Sequence, residues 1–162
     1  MTNESVATAT LACTDQINLV DHELRLRLDL SCHHNPVKDG TPFYQFSMQC
    51  DQEVAGVIHL RVGNHPSLIN HLGHIGYEVF PRFRGRSFAQ RATQLLLPLA
   101  KLNGMKDLWI TCNPDNHASR RTCEKLGATY VNTIPVPEDS PMYAAGDRQK
   151  RRYHIRLHHI EC

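Results

Sequence analysis

Ten residues at the centre of the chain decide its fold, and they read Arg82-Phe83-Arg84-Gly85-Arg86-Ser87-Phe88-Ala89-Gln90-Arg91. A strand-like run, Ile75–Phe80, precedes them, and a helix-like run continues after them to Leu97. A strand that passes through a short turn into a helix directs unpaired backbone N–H groups, and the positive end of the helix dipole, at one point. Such a point binds a phosphate or a pyrophosphate.

The composition of this turn favours an anion site. Gly85 allows the backbone to approach an anion closely, and four arginines surround it with no acid between them in the sequence. The simpler alternative is an ordinary strand-turn-helix with solvated arginines. The turn lacks the Gly-Lys-Ser/Thr of a nucleotide P-loop and the G-x-G-x-x-G of a dinucleotide fold, so neither of those sites is predicted.

The run from Gly76 to Ala89 resembles motif A of the GNAT superfamily of acyl-CoA-dependent N-acyltransferases, whose turn reads Q/R-x-x-G-x-G/A. Downstream, Leu108–Ser119 and Cys123–Ala128 are similar to motif B of that superfamily, in the expected order and separation. Two motifs in order are more specific than either alone. The resemblance runs from about Val54 to the C-terminal strand, and in motif B it is closest to the subgroup of ribosomal-protein alanine acetyltransferases.

The resemblance implies an enzyme that takes acetyl-CoA as co-substrate and holds no metal. In the family, backbone N–H groups of the turn and helix start bind the pyrophosphate of acyl-CoA, here those of Arg84, Gly85, Arg86, Ser87, Phe88 and Ala89. By the same resemblance the pantetheine arm pairs with the backbone of Glu78, Val79 and Phe80 and meets Asn113, Asn116 and Ser119. The simpler reading of the two asparagines is an Asn-Pro turn and a helix cap, which is compatible with binding.

Acyl transfer to an amine requires a neutral amine, a place for charge on the tetrahedral oxygen, and a proton for the leaving thiolate. Many family members supply that proton with a Tyr four residues before the Gly that ends the motif B helix, and Cys123 stands there in this chain. The resemblance therefore implies Ser119, or a water molecule, as the acid. For the base, Glu78 ranks first and His74 second, and both lie on one face of the predicted strand. The simpler reading of Glu78 is a paired or exposed carboxylate, and that of His74 is a hydrogen-bonded core or rim histidine.

Hydrophobic periodicity predicts an α/β fold with a sheet of mixed direction, and the resemblance implies the GNAT fold, with helices on both faces of that sheet. Residues 1–20 show no clear period and are expected to form a flexible tail, followed by a single domain over residues 21–162. The predicted strands are Leu24–Leu30, Phe43–Cys50, Val54–Val62, Gly73–Phe80, Asp107–Cys112, Ala128–Val136 and Arg151–His158. The predicted helices run from the central turn to Gly104, and from Ala118 to Leu126. The remaining segments, including Gly63–Leu72 and Pro135–Gly146, are predicted loops.

The acceptor side departs from the family pattern. GNAT chains usually place one or two helices between the first two strands, but here that connection, Cys32–Pro42, is short and contains two prolines. The acceptor cleft is therefore expected to be open or closed by another chain, such as a second copy in a homodimer. In the long loop before the last strand, Glu138, Asp139 and Asp147 are expected either to attract a cationic amine or simply to be solvated.

Length and composition exclude several other classes. A chain of 162 residues with 41% hydrophobic content can bury the core of one domain. No apolar run reaches membrane-spanning length, the first residues lack a signal peptide pattern, and the six cysteines lack framework spacing. These features predict a cytoplasmic protein with reduced thiols and no membrane partner.

Two binding classes are not expected from the charged and histidine residues. The net charge of +2 is too small to predict nucleic-acid binding, and the basic run between Arg148 and Arg156 is read first as a solvated strand entry. Neighbouring histidines in a strand cannot converge on one ion, so no metal site is predicted. The resulting hypothesis is an N-acetyltransferase acting on a primary amine of a small molecule or a protein N-terminus. The alternative is a non-catalytic acyl-CoA-binding sensor or interaction module.

Overall fold

The computed structural model describes residues 11–33 and 40–158. The strands are β1 (Val20–Asp21), β2 (Leu24–Cys32), β3 (Phe43–Cys50), β4 (Glu53–Arg61), β5 (Ile75–Val79), β6 (Asp107–Cys112), β7 (Thr129–Pro135) and β8 (Gln149–Arg156). The helices are α1 (Phe88–Leu102), α2 (His117–Lys125) and the short α3 (Pro141–Ala144), with a π-helical turn at Leu68–Leu72 and a 3₁₀ turn at Pro81–Phe83. The predicted strands and long helices are thus confirmed, while the π-helical turn and α3 lie in segments predicted as loops.

The strands form two sheets that meet beside β5. One sheet has the order β1-β2-β3-β4-β5, and the other has the order β6-β8-β7. Every ladder between the described strands is antiparallel. The backbone N–H of His74, just before β5, donates to the carbonyl of Trp109 on β6 (2.7 Å), but no ladder joins the two strands. The predicted mixed sheet is therefore replaced by two antiparallel sheets, because the neighbouring strands β5 and β6 separate and leave a gap.

The core lies between the five-stranded sheet and helix α1. Alternate residues of β3, Tyr44, Phe46 and Met48, are buried together with Ile58 and Leu60 of β4, as the period-two pattern of strands requires. Helix α1 buries the matching apolar stripe, which is Phe88, Ala89, Ala92, Leu96, Leu99 and Ala100. Truncating a fully buried leucine of this kind, such as Leu96, to alanine costs about 2–5 kcal/mol.

The segment before the first long strand packs against the core from Leu11 onward. Leu11 is buried in the core, the hydroxyl of Tyr44 donates to the carbonyl of Ala12 (2.6 Å), and the N–H of Ala12 donates to Oδ1 of Asn103 (3.0 Å). These contacts differ from the flexible tail predicted over residues 1–20, because Tyr44 and Asn103 supply polar partners for the segment. The first ten residues of the predicted tail lie outside the described residues.

The connection between β2 and β3 joins two neighbouring strand ends. Cys32 is paired with Phe43 across the antiparallel ladder, so the ten residues from 33 to 42 return the chain directly to the adjacent strand. The predicted absence of helices from this connection falls largely on residues 34–39, which lie outside the described residues. In the described ranges no helix is both long and apolar enough to cross a bilayer. The thiols of Cys13, Cys50, Cys112 and Cys123 form no disulfide.

An ion-pair cluster ties the start of α1 to the first hairpin. Arg91 donates from Nε to Oδ2 of Asp21 (2.6 Å) and from Nη2 to Oε2 of Glu23 (3.0 Å). The hydrogen bonds from Arg91 lower the pKa of Glu23 from its ordinary value of 4.5 to about 2. The folded state therefore binds a proton at Glu23 less readily than the unfolded chain does.

This cluster predicts an acid-dependent loss of stability. A lowered pKa contributes stability that is present above pH 4.5 and is lost as the pH falls from 4.5 toward 2. The Glu23→Gln variant should have a lower Tm at pH 7 and a smaller further decrease of Tm between pH 5 and pH 2. Thermal unfolding across this range measures both, with the exposed Glu124→Gln as the matched control. A Glu23→Gln curve that runs parallel to that of the parent protein would contradict the assignment.

Candidate active site

The central turn presents backbone N–H groups, as its sequence predicts. Gly85 has a φ of 85°, and α1 begins at Phe88. The first helix-type bond runs from the N–H of Arg91 to the carbonyl of Ser87 (3.0 Å), so the N–H groups of Phe88, Ala89 and Gln90 have no partner within the helix. The N–H of Arg84 donates instead to the carbonyl of Pro81 (3.3 Å). Arg84 therefore does not contribute the backbone donor that the resemblance implies.

Ser87 occupies a conformation that favours glycine. Its φ of 57° and ψ of 30° lie in the left-handed region, which a residue with a Cβ adopts at a cost in free energy. Its side chain makes no capping bond to α1, and its hydroxyl accepts a hydrogen bond from Nζ of Lys125 (3.1 Å). Ser87 therefore stands at the N-cap of α1 without capping it through its side chain. The side chain instead links the turn to α2.

A cavity of about 560 Å³ lies against this turn, between β5, the first turn of α1, and α2. Its volume is in the range of pockets that hold small ligands. The predicted cofactor-binding residues that line it are Val79, Arg84, Gly85, Ser87, Phe88, Ala89, Asn116 and Ser119. Phe80, Arg86 and Asn113 do not line it. We call this the donor cavity.

Most of the predicted arginine cluster is paired elsewhere. Arg82 donates to Glu53 (2.8 Å), Arg86 donates to Glu23 (3.2 Å), and Arg91 is held by the hairpin acids described above. Of the four arginines, Arg84 alone lines the donor cavity. The sequence could not show this, because the neutralising acids lie 29 to 70 residues away along the chain.

Helix α2 supplies the other cations of the donor cavity. Arg121 and Lys125 are exposed and line the cavity. They are four residues apart, so they share one face of the helix. That spacing, within the helix of motif B, is the signal that could have identified them from the sequence.

The contribution of the α2 cations to CoA binding can be tested separately from that of the turn arginines. Replacing both Arg121 and Lys125 with alanine should weaken CoA binding about tenfold and reduce its salt dependence, since phosphate contacts to charged donors are strong and screened by salt. Arg82→Gln should leave CoA affinity unchanged because Arg82 is paired with Glu53. Calorimetric titration with CoA at two ionic strengths measures both effects. Equal losses for the two variants would show that the original cluster is the phosphate site.

The free edge of β5 determines which backbone groups face the gap. The N–H of Phe80 donates to the carbonyl of Ala55 on β4 (2.8 Å), and Glu78 is paired with Val57. Because bonded positions alternate along an antiparallel ladder, Glu78 and Phe80 direct their backbone groups to β4. The backbone groups of Tyr77 and Val79 face the gap. The backbone groups of Glu78 and Phe80 are therefore not available for the predicted pantetheine pairing. Those of Val79, which was also predicted, face the gap, where the Val79 carbonyl accepts a hydrogen bond from Nε of Arg84 (3.1 Å).

A second cavity, of about 290 Å³, lies on the other side of the gap. It is lined by residues of β4, β5, β6 and the segment before β8, and it shares Tyr77, Asn116 and Ser119 with the donor cavity. We call it the acceptor cavity. The hydroxyl of Tyr77 and Oγ of Ser119 are 2.7 Å apart, and burial raises the pKa of Tyr77. A pair of hydrogen-bonded hydroxyls therefore stands where the two cavities join.

The two asparagines of motif B organise this region. Oδ1 of Asn116 accepts the N–H of Ser119 (3.1 Å) and caps α2, which positions the Ser119 hydroxyl. Asn113 lines the acceptor cavity, where its Nδ2 donates to Asp147 (2.8 Å) and its Oδ1 accepts from Lys150 (2.7 Å). The helix-cap reading of Asn116 is confirmed. Asn113 is placed on the acceptor side rather than against the donor.

His74 holds the two sheets together. It is buried, its Nδ1 accepts the N–H of Trp109 (2.8 Å), and its Nε2 donates to the carbonyl of Gly63 (2.8 Å). Burial lowers its pKa, which favours this neutral form. Both ring nitrogens are occupied and His74 lines neither cavity. This geometry disfavours His74 as the base and supports its simpler reading as a core histidine.

Glu78 remains the stronger candidate for the base. Its side chain is exposed and lines the donor cavity. The register of β5 with β4 places it on the same face of the sheet as Gly76, opposite to the face that carries Tyr77. A carboxylate that is accessible to water and lies beside the gap can take up a proton from an ammonium group.

These features agree with the known proteins that the chain resembles. A family model described as an acetyltransferase (GNAT) domain matches residues 14–129. The chain belongs to the GNAT acetyltransferase family. No curated protein sequence matches it. Among the described residues, no group of three His, Cys, Asp or Glu side chains is placed to hold a metal ion.

Solved structures of GNAT acetyltransferases share the fold. The structure is similar to the microcin C7 self-immunity acetyltransferase MccE in complex with acetyl-CoA and AMP, at 19% identity and a TM-score of 0.55 over 71% of this chain and 61% of that one. It is also similar to RimL, a ribosomal L7/L12 α-N-protein acetyltransferase, at 20% identity and a TM-score of 0.56 over 71% and 70%. An acetyltransferase from Salmonella typhimurium that modifies the N-terminal serine of L7/L12 gives a TM-score of 0.57 at 20% identity, over 72% and 64%. The chain therefore spans about 61% to 70% of these proteins, and the predicted GNAT fold is confirmed.

The tyrosine position of the GNAT motif B helix is filled by a buried thiol. Cys123 is fully buried, and burial raises its pKa to about 12. Such a thiol is a weaker acid than the CoA thiol it would have to protonate. Tyr77 was not singled out from the sequence, because a tyrosine in a half-buried strand is most simply read as packing. Its place in motif A, on the strand that borders the GNAT gap, is the signal that could have identified it.

Proposed function

We propose that the protein transfers an acetyl group from acetyl-CoA to a primary amine of a small molecule or of a protein N-terminus. The observation that carries this proposal is the hydroxyl pair of Tyr77 and Ser119 at the junction of two cavities. One cavity offers donors suited to phosphate, and the other is available to an acceptor. The acyl group of a donor bound in the first cavity therefore meets the amine of an acceptor bound in the second cavity beside these hydroxyls.

The donor cavity fits the chemistry of acetyl-CoA. The free N–H groups at the start of α1 and the cations Arg84, Arg121 and Lys125 match a diphosphate. The edge of β5 at Tyr77 and Val79 faces the gap and offers backbone groups to an amide-containing arm, with the Val79 carbonyl already bonded to Nε of Arg84. Acetyl-CoA supplies an activated acyl group when it is bound there.

Two of the three catalytic requirements, a neutral amine and a proton for the leaving thiolate, have a residue beside the gap. Glu78 accepts a proton from the incoming ammonium so that a neutral amine can attack. Ser119 passes a proton to the departing sulfur and takes one up from the nitrogen of the tetrahedral intermediate, so that no serine alkoxide is left, and its hydroxyl is held by the hydrogen bond with Tyr77. The raised pKa of Tyr77 keeps its hydroxyl protonated, so it remains a donor at neutral pH.

The proposal is tested in two steps. Calorimetry first measures the binding of CoA and acetyl-CoA to the purified protein. Release of the CoA thiol is then followed across a panel of small amines and of peptides with free N-termini, with mass spectrometry of the products. Amine-dependent CoA release with an acetylated product supports the proposal. Tight CoA binding without turnover on any amine would favour the acyl-CoA-binding sensor instead, and an absence of CoA binding would exclude both functions.

A further inference from the structure

The acceptor cavity contains a guanidinium that the proposed chemistry does not use. Arg61 ends β4, and its Nη1 donates to the carbonyl of Gly73 (3.2 Å). The guanidinium lies over Gly76, where an added Cβ would stand 3.0 Å from Nη2 and 3.1 Å from Nη1. The absence of a side chain at position 76 therefore makes the room that this cation occupies.

Among the described residues, Arg61 has no counter-ion. In the described part of the chain, no carboxylate oxygen lies within 4.0 Å of its nitrogens. The side chain is largely removed from water, and this burial lowers its pKa. A desolvated cation without an anion costs free energy. A ligand that carries an anion would recover part of that free energy.

The other charged groups of the acceptor cavity do not supply this anion. Lys150 is neutralised by Asp147 (2.9 Å), and Nε2 of His71 is bonded to the carbonyl of Pro135 (3.2 Å). None of the described residues that line the cavity is an aspartate or a glutamate. The expected attraction of a cation is therefore not supported for Asp147, which is occupied by Lys150 and Asn113. For Glu138 and Asp139 it stays a prediction.

Glu78 supplies a negative charge on the same strand face as the cation at Gly76. It follows Gly76 by two residues on the same strand face and lines the donor cavity, with no ion pair to Arg61. Two residues of a strand span about 7 Å. The backbone positions of Gly76 and Glu78 are thus about as far apart as the two charges of a small zwitterion.

We propose that the acceptor is a small amine that also carries a carboxylate or a phosphate a few bonds away, and that Arg61 binds this anion. The inference rests on the proposed function and names its substrate class. The anion lies against Arg61 over Gly76, and the amine lies between Glu78 and Ser119. An amine without an anion leaves Arg61 unpaired and is a poorer substrate.

Matched pairs of amines test this inference. Each pair has the same amine with and without the anion: an amino acid and its carboxamide, β-alanine and its carboxamide, and phosphoethanolamine and ethanolamine. The anionic member of the preferred pair should have a kcat/KM at least about tenfold higher, because a hydrogen bond to a charged group is worth more than 1.4 kcal/mol. The first two pairs detect a carboxylate, and the third detects a phosphate.

Three variants assign the preference to Arg61. In Arg61→Gln the ratio of kcat/KM between the two members should fall to about one. Gly76→Ala keeps the cation but displaces it, so the ratio should also fall, and it serves if Arg61→Gln does not fold. Exposed Arg25 on β2 provides the control, and Arg25→Gln should keep the full ratio. A neutral member as good as its anionic partner, or a ratio that survives in both cavity variants, would overturn the inference.

The two proposals fail in different ways. Turnover of amines without any anion preference refutes the inference and leaves the acetyltransferase function intact. If no amine is turned over, thermal stabilisation of the CoA-loaded protein by inorganic phosphate and by acetate is compared between the parent protein and Arg61→Gln. Stabilisation that requires Arg61 still supports an anion site, and its absence overturns it.

Discussion

Gly85→Val is expected to weaken CoA binding by about ten- to hundredfold while the protein remains folded. At a φ of 85° a residue with a Cβ costs about 1–3 kcal/mol, and a β-branched side chain is the least compatible with it. The turn would relax by changing its backbone conformation, which moves the N–H groups that face the donor cavity. Calorimetric titration with CoA measures the loss.

Gly104→Val is the matched control for this change. Gly104 has a φ of 76° at the opposite end of α1, and an added Cβ meets no atom within 4 Å at either glycine. The two substitutions should therefore lower Tm by similar amounts, whereas only Gly85→Val should reduce CoA affinity. Unchanged CoA affinity in Gly85→Val, or an equal loss in Gly104→Val, would show that the central turn does not bind the phosphates.

Ser119→Ala is expected to lower kcat about a hundredfold, the lower range for removal of a positioned proton donor. The Kd for CoA should change little, because the main-chain N–H of residue 119 still caps α2 through Asn116. Tyr77→Phe removes the hydroxyl that supports Ser119 and should give a smaller decrease of kcat. Steady-state kinetics on the best amine of the panel, together with calorimetry, separates the two quantities.

Cys123→Ala provides the contrast within the same helix. Cys123 is buried behind the site and its thiol is a poor acid, so this variant should keep most of its turnover despite a modest loss of stability. A hundredfold decrease of kcat in Cys123→Ala with normal CoA affinity would transfer the catalytic role to the thiol. Full activity of Ser119→Ala would exclude Ser119 as the proton donor.

The sequence predicted the parts of the site that are determined by residues close together along the chain. Gly85, the start of α1 and the cap at Asn116 follow from residues a few positions apart, and so the structure places them as expected. The resemblance to motif B also directed attention to Ser119. These features are set by turn chemistry and helix periodicity, which a single segment contains.

The parts that were missed depend on residues brought together from distant segments. The residues next to Arg82 and Arg86 in the sequence predict arginines that are either solvated or ligand-binding. In the structure, Glu53 and Glu23 neutralise them across the sheet. The sequence makes His74 a candidate base, but in the structure its two ring nitrogens are hydrogen-bonded to Gly63 and Trp109. The edge of β5 that faces the gap follows from its ladder with β4, which a pattern of side chains cannot reveal because it concerns the backbone.

The two cavities have a consequence for the order of chemical events. They share Tyr77, Asn116 and Ser119 but are otherwise lined by different residues, so donor and acceptor can occupy the protein at the same time. In the proposed reaction the acyl group can then pass directly between two bound substrates within a ternary complex. No covalent acyl-enzyme is needed as a carrier. The thiols of Cys112 and Cys123, both buried and both with raised pKa values, are poorly suited to form one.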